Sequence, residues 1–189
     1  MEIVCVLGSP RPKGNSTTIA ERFCKKAENL GANVRYFYLN ELNYRGCQGC
    51  FTCKTKSDKC VLDDDLTQVL EAIMETDILV MATSVYFGSV SGQLKCLVDR
   101  TFSFMVPDFR TNPNPSRLPP GKKAVFITAQ GAPEEMFRDL HTSYENYFKR
   151  YGFQESHHIR GCQTRELGDI EARPDLMELA EKTAENLIG

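Results

Sequence analysis

Apolar residues along this chain fall into two alternating rhythms. Glu2–Leu7 is a short apolar run that stops at Gly8, and a helical pattern follows a Gly/Pro/Ser stretch from about Thr17 to Leu30. Asn33–Leu39 alternates and carries Val, Tyr and Phe, so it predicts a second strand. Leu66, Val69, Leu70 and Ile73 make one apolar face of a helix over Asp63–Glu75. Ile78–Ala82 then predicts a buried strand, Ser91–Thr101 a helix, Ala124–Thr128 a strand and Glu134–Arg150 a helix. Phe153–Ile159 supplies the fifth strand, and Leu176–Ile188 the closing helix, primed by Pro174. Near-continuous apolar strands separated by helices predict an α/β fold, a parallel sheet covered on both faces in a doubly wound sandwich.

The 189 residues suit a single domain with a sizeable core, without internal repeats. A formal net charge of −2 offers no basic footprint for nucleic acid, and no apolar run is long enough to span a bilayer, so neither partner is expected. The start, MEIVCVLGSP, has no basic region and too short an apolar stretch for secretion. Eight cysteines then fit a reducing compartment, and a cytoplasmic location is expected.

In a doubly wound sheet, ligands gather outside the carboxyl ends of the strands, where the winding reverses. Three loops predicted at that edge carry chemistry. Gly8–Thr18 reads GSPRPKGNSTT, with hydroxyls at Ser9, Ser16, Thr17 and Thr18 and an amide at Asn15. At a helix amino terminus these donors make a phosphate pocket. The loop has neither the GxxxxGK[ST] pattern of a triphosphate site nor the GxGxxG of a dinucleotide site, which leaves a single phosphate, as in FMN. The plainer alternative is a turn capped by Ser16 or Asn15. The second loop, Ser84–Arg100, holds Tyr86 and Phe87 between small residues, with Gly88 permitting close backbone approach to a planar ring; core packing is the alternative for both aromatics. In the third, Thr128–Pro133, Gln130 and Gly131 can offer hydrogen bonds to a ring edge.

Four more cysteines crowd one loop: Cys47, Cys50, Cys53 and Cys60, in CQGCFTCKTKSDKC. Three thiols at intervals of three can converge on one centre, and the fourth follows a short polar excursion. The run is too crowded for two zinc knuckles, so an iron–sulfur centre is the sharper reading. Zinc, free thiols or a redox-sensitive disulfide stay open as alternatives. Asp63, Asp64 and Asp65 complement the dipole of the helix they open. His141, His157 and His158 lack ligand spacing and predict surface or packing roles. Cys5, Cys24 and Cys96 fall in apolar patterns and predict buried thiols, and Cys162 is the one spare ligand. The stretch from 102 to 121 lacks periodicity yet holds Phe102, Phe104, Met105, Val106 and Phe109, which suggests cover for a ligand, a subunit contact or packing on its own domain.

GSPRPKGNS, then CxGCxxC with a later Cys followed by DDD, then YFGSVSGQLKCLVDR, is similar to the flavodoxin-fold NAD(P)H-dependent FMN reductase family. More closely it resembles the branch called iron–sulfur flavoproteins, over Met1 to about Pro133. The resemblance implies the strand order 2-1-3-4-5 and bound FMN. It assigns the phosphate to Ser9, Arg11, Asn15, Ser16 and Thr17, the isoalloxazine to Ser84, Tyr86, Phe87 and Gly88, and a [4Fe–4S] cluster to Cys47, Cys50, Cys53 and Cys60. Relatives commonly carry Pro at the position of Val85, so this loop is expected to be slightly looser. Implied partners are NAD(P)H as co-substrate and a small acceptor such as a quinone or flavin, with a homodimer or tetramer as the assembly. A non-enzymatic electron carrier for ferredoxin-like proteins and a zinc-stabilised interaction module are the competing functions.

Overall fold

The computed structural model describes all 189 residues. Strand β1 (Glu2–Leu7) leads into helix α1 (Asn15–Asn29), β2 (Asn33–Tyr38), the single-turn α2 (Thr52–Thr55), α3 (Leu66–Glu75) and β3 (Ile78–Tyr86). A two-residue arm β4 (Ser89–Val90) precedes α4 (Gly92–Arg100), β5 (Lys123–Gln130), α5 (Arg138–Arg150), β6 (Glu155–Cys162) and α6 (Pro174–Ile188). The sheet runs β2-β1-β3-β5-β6, every pair parallel, with β4 hydrogen-bonded antiparallel to β3. With the short arm set aside, this is the expected order 2-1-3-4-5.

The two faces of the sheet hold separate cores. Ile3, Cys5 and Leu7 of β1, with Ile78, Val80 and Ala82 of β3, face α1 and α6. Val4 and Val6, with Leu79 and Met81, face α3, α4 and α5. The period of two along each strand therefore sends alternate residues into opposite cores, which is why these strands read as continuously apolar. Helix α1 buries Ile19, Ala20, Phe23, Cys24 and Ala27, a stripe at helical spacing, and ends where Gly31 takes a left-handed φ of +91°.

Element boundaries moved where polar side chains intervene. Strand β3 continues past Ala82 because Thr83 and Ser84 pair with Thr128 and Ala129 of β5, and β5 likewise runs on to Gln130. Strand β6 starts at Glu155 rather than Phe153, since the Phe153 amide turns back to the Phe148 carbonyl across a left-handed Gly152. Helix α5 starts four residues later than the pattern predicted. Gln130 Nε2 donates to the carbonyls of Ala132, Pro133 and Met136 and holds 132–136 as a loop, and Phe137 is left-handed. Helix α3 starts at Leu66, and Asp64 is an anchor more than a dipole partner: its carboxylate accepts from the amides of Leu66 and Arg45 and from the buried Arg100 guanidinium. Burial alone would raise the Asp64 pKa, but those donors outweigh it and hold the carboxyl below its usual range. Cys5 and Cys24 are buried as expected, whereas Cys96 is half-buried.

Two histidines form a pair between α5 and β6. His141 Nδ1 lies 3.0 Å from His158 Nδ1, its Nε2 lies 3.0 Å from Thr128 Oγ1, and the Phe126 ring packs against both imidazoles. Burial, followed by the charges of His158 and Arg160, pushes His141 down from 6.5 to about 3. Burial also lowers His158, opposed by Glu145 and aided by His157. Both folded values lie below the unfolded one, so an unfolded chain takes up protons that the native fold refuses. Stability contributed by the neutral pair is present above pH 6.5 and is lost as pH falls from there toward 3. Urea unfolding at pH 7 and pH 5 should show lower stability at pH 5, and His141→Gln should flatten that difference; an unchanged slope in the variant would exclude the pair as its source.

Candidate functional site

The carboxyl edge of the sheet assembles a cleft from four loops. The first of these loops leaves β1 at Gly8, whose amide donates to the Ala82 carbonyl at 2.8 Å and whose carbonyl accepts from Ser91 Oγ at 2.6 Å. The loop then folds on itself: the Arg11 amide donates to Ser9 Oγ, Ser9 Oγ donates back to the Arg11 carbonyl, and the Gly14 amide closes onto the same carbonyl. Gly14 is required here, because a Cβ would sit 2.5 Å from Ser9 Oγ. Helix α1 starts immediately afterwards with Gly14 as its N-cap and no capping side chain, so the alternative of a turn capped by Ser16 or Asn15 does not hold. First-turn amides are left without a side-chain acceptor, and the helix dipole adds positive potential. Ser16 Oγ, in that turn, is enclosed and has no hydrogen-bond partner. An orphaned hydroxyl beside an uncapped helix start fits an anion that would supply the missing acceptor.

Arg11, Asn15, Ser84, Tyr86 and Gly131, all singled out from the sequence, line this cleft of about 220 Å³. The other expected residues lie elsewhere. Ser9 is spent on the loop's own turn, and Ser16 and Thr17 are buried beneath the surface of the cleft. Gln130 faces inward, its amide bound to the carbonyls of the following loop and its Oε1 buried without a partner. Phe87 and Gly88 are the corners of the hairpin between β3 and β4, with φ of 49° and 77°. Left-handed values at both corners make a type I′ turn. For Phe87 that conformation costs roughly 1–2 kcal/mol, and its ring is fully exposed. Gly88 faces Phe137, whose ring carbons would lie 3.2 and 3.3 Å from any Cβ there.

Asn15 does more than line the cleft. Its Nδ2 donates to the Glu166 carbonyl at 2.9 Å and its Oδ1 accepts from the Ile170 amide at 3.4 Å, latching α1 to the loop after β6. That loop brings Thr164 and Arg165 into the cleft wall, together with Gly14, Val85 and Ala129. Sequence reasoning missed Thr164 and Arg165. The available signal was their place just past the end of a strand, the same rule that marked the other three loops.

The cysteine loop builds a separate cavity. Cys47, Cys50, Cys53 and Cys60 line one space of about 90 Å³, closed by Phe51, Leu62, Phe102, Ser103 and Arg100. Buried Arg100 holds the loop's base in shape: its guanidinium pairs with Asp64 at 2.8 Å and donates to the carbonyls of Arg45 and Leu62. The stretch from 102 to 121 packs on its own domain, with Phe102 and Ser103 against the cysteine cavity, and its residues do not line the cleft at the sheet edge. Phe104, Met105 and Leu118 are buried, Met105 bridges to Ser116, and Phe102 meets Phe51 and Phe109 edge to face. Lys54 Nζ ties the two segments by donating to the carbonyls of Phe102 and Met105. Arg117 donates to the carbonyls of Ser103, Met105 and Cys53.

The hydroxyl and amide of Thr52 hold the Cys50 thiol below its ordinary pKa, which favours the thiolate a metal requires. No three Cys, His, Asp or Glu side chains converge closely enough to grip one metal ion. Four thiols around one cavity are a ligand set that a zinc ion or an iron–sulfur centre takes. Cys162 lies on the opposite edge strand and lines neither cavity, so it is not a spare ligand. A further cavity of about 620 Å³, between α3 and the 102–121 stretch, shares Cys60 and Ser103 with the cysteine cavity. No helix is long and apolar enough to cross a membrane.

Comparison with known proteins gives a consistent picture. An iron–sulfur flavoprotein of Methanocaldococcus jannaschii is 35% identical over 53% of this chain and 52% of its own length. One of Archaeoglobus fulgidus is 33% identical over 55% and 47%. The chain thus spans about half the length of these curated relatives. A Bacillus subtilis protein, provisionally assigned as an NAD(P)H-dependent FMN-containing oxidoreductase, is 25% identical over 90% of this chain and 89% of its own. Among solved structures, an NAD(P)H:quinone oxidoreductase of Methanothermobacter marburgensis superposes with a TM-score of 0.79 at 18% identity, covering 100% and 98% of the two chains. An FMN-dependent NADH-azoreductase of Bacillus anthracis, in complex with FMN, gives 0.75 at 13% identity over the full length of both. At these identities the structural likeness speaks for the flavodoxin-like fold. The family described as NADPH-dependent FMN reductase matches residues 1–145, and the chain belongs to it.

Proposed function

We propose that this chain is an FMN-dependent oxidoreductase in which reduced pyridine nucleotide delivers electrons to flavin and a small acceptor, such as a quinone or free flavin, removes them. The observation that carries this reading is the cleft at the carboxyl edge of the sheet, lined by Arg11, Gly14 and Asn15 together with Ser84, Tyr86 and Gly131, at an uncapped helix start whose buried Ser16 hydroxyl has no partner. When bound, FMN would supply the hydride and electron chemistry. The protein's share is binding and orientation. The first-turn amides of α1, Ser16, Thr17 and Arg11 would hold the phosphate, Ser9 and Asn15 would keep that loop in shape, and Ser84, Tyr86, Phe87, Gly88 and the 130–131 backbone would border the ring. The strained, exposed Phe87 supports a role at the ring or at a subunit boundary, since a conformation this costly persists where function uses it. Exposed Tyr86, Phe87 and Met136 also support a homodimer across this edge.

Ser16→Ala separates function from folding. Removing an unpartnered buried hydroxyl should leave apo stability unchanged or higher, while FMN affinity should drop by about 10- to 100-fold from losing a hydrogen bond to a charged group, worth roughly 1.5–3 kcal/mol. Unchanged affinity for FMN in titrations of the variant would count against the phosphate assignment. For turnover, stopped-flow mixing of the FMN-loaded protein with NADH or NADPH should bleach the flavin, and a quinone should restore its colour. Bleaching only by a reduced ferredoxin would favour the electron-carrier function instead.

We further propose that Cys47, Cys50, Cys53 and Cys60 hold a [4Fe–4S] cluster, a reading favoured by their arrangement around one cavity. Such a cluster would supply one-electron chemistry and could exchange electrons with a ferredoxin-like partner. Exposed Cys47 and Cys50 would leave the cluster open to oxygen. Protein purified without oxygen should therefore carry iron and acid-labile sulfide in the wild type and lose both in Cys60→Ala. Stoichiometric zinc with neither iron nor sulfide would turn the assignment to the zinc alternative.

A further inference from the structure

We infer that Arg165, in the loop after β6, is a second guanidinium of the phosphate subsite and sets the preference of the cleft for a phosphorylated flavin over one without phosphate. The inference rests on the flavin reading of the cleft and adds a residue from a fourth loop.

Arg165 lines the same cleft as Arg11, Gly14 and Asn15. Its side chain runs along Gly131 in ordinary contact, since a Cβ there would lie 3.4 Å from Nε and 3.5 Å from the Arg165 Cβ. The loop that carries it is pinned at two points. Asp169 Oδ2 accepts from the amides of Arg165 and Glu166 at 2.7 and 2.8 Å. The Glu166 carbonyl accepts from Asn15 Nδ2 at 2.9 Å, and Asn15 is the first residue of α1. Arg165 is thus the neighbour, along the chain, of the residue clasped by the helix start that would bind the phosphate.

Its charge is available. Arg22, Arg35, Arg100 and Arg173 each pair with a carboxylate, whereas Arg165 has none within salt-bridge range. The nearby Asp169 carboxylate is engaged with backbone amides. A phosphate monoester carries about −1.5 to −2 at neutral pH. The end of α1 offers roughly half a positive charge and Arg11 one more, which leaves the dianion under-compensated. Arg165 supplies the balance, and as a planar donor it can take two phosphate oxygens at once.

Riboflavin is the probe that isolates this effect, because it differs from FMN only by the phosphate. Apo wild type and Arg165→Gln are titrated with each flavin, following the quenching of flavin fluorescence, and Arg165→Lys is included as the charge-conserving variant. Arg165 is exposed, and thermal melting of each apo variant checks that the fold is kept. The expected result is an FMN affinity about 10- to 100-fold weaker in Arg165→Gln, partly restored in Arg165→Lys, with riboflavin affinity within about twofold of wild type. Unchanged FMN affinity overturns the inference, and so does an equal loss for both flavins, which would mark a ring contact or a structural role. Wild type that binds neither flavin would overturn the flavin reading of the cleft, a result distinct from either.

Discussion

Everything at the functional edge depends on how closely the end of β1 approaches the start of α4, where the sheet changes its winding direction. Gly8 makes the approach possible. A Cβ there would lie 2.8 Å from the Leu94 Cβ and 3.1 Å from Ser91 Oγ, closer than packed atoms allow. With only hydrogen in that space, one serine ties three elements together. Ser91 Oγ donates to the Gly8 carbonyl and accepts from the Leu94 amide to cap α4, and the Ser91 amide donates to Thr83 Oγ1 at 3.0 Å. Ser91 and Thr83 are fully buried, so each of these bonds is made in a medium where leaving it unmade would cost roughly 1–3 kcal/mol. The first loop and the start of α4 therefore cannot move independently. An anion at α1 and a ring against the β3 hairpin would be held by one rigid junction rather than by two loops.

The cysteine loop is anchored by a different kind of interaction. It has one single-turn helix and little regular structure, and two of its thiols are exposed. Its shape comes from charge buried beneath it. Arg100 is 1% exposed, and its pairing with Asp64 costs desolvation that further hydrogen bonds must offset. The carbonyls of Arg45 and Leu62 supply two of them, one on each side of the cysteine run, while Nε stays buried without a partner. Lys54 and Arg117 then satisfy carbonyls of the 102–121 stretch. Arg100 lines the cavity of the four thiols and Lys54 Nζ lies 3.5 Å from Cys53 Sγ, a setting that would offset the negative charge of thiolates around a metal centre.

The fold was legible because strand and helix periods are strong signals and each element obeys one of them. What sequence reading could not supply was the direction of polar side chains. Gln130 is near a ligand loop in sequence, but its amide is captured by three carbonyls of its own loop, a contact set by tertiary geometry. Asp64 read as a helix-dipole residue because its partner, Arg100, lies 36 positions away. Arg165 escaped notice because CQTRELGD has no hydroxyl-rich or glycine-rich signature, and only its place just past the end of β6, with the latch between Asn15 and Glu166, marks it as part of the cleft. The 102–121 stretch buries Phe104, Met105 and Leu118 in its own domain and sets Phe102 and Ser103 against the cysteine cavity, and its lack of period reflects that irregular wall.

Helix α4 connects the two cavities mechanically. Its cap, Ser91, belongs to the junction beneath the flavin-edge cleft, and its last residue, Arg100, lines the cysteine cavity. Nine residues at 1.5 Å rise separate the two ends by about 13 Å along the helix axis. Loops could not hold such a spacing, because they change length and conformation at little cost, whereas a helix with Leu94 and Leu97 buried in the core is fixed by packing. If electrons pass between a flavin at one end and a metal centre at the other, the separation they cross is set by this strut. A change in the length of α4 would alter that separation at once, and it would also pull Ser91 from Gly8 or Arg100 from Asp64, so the fold resists adjusting one site without disturbing the other.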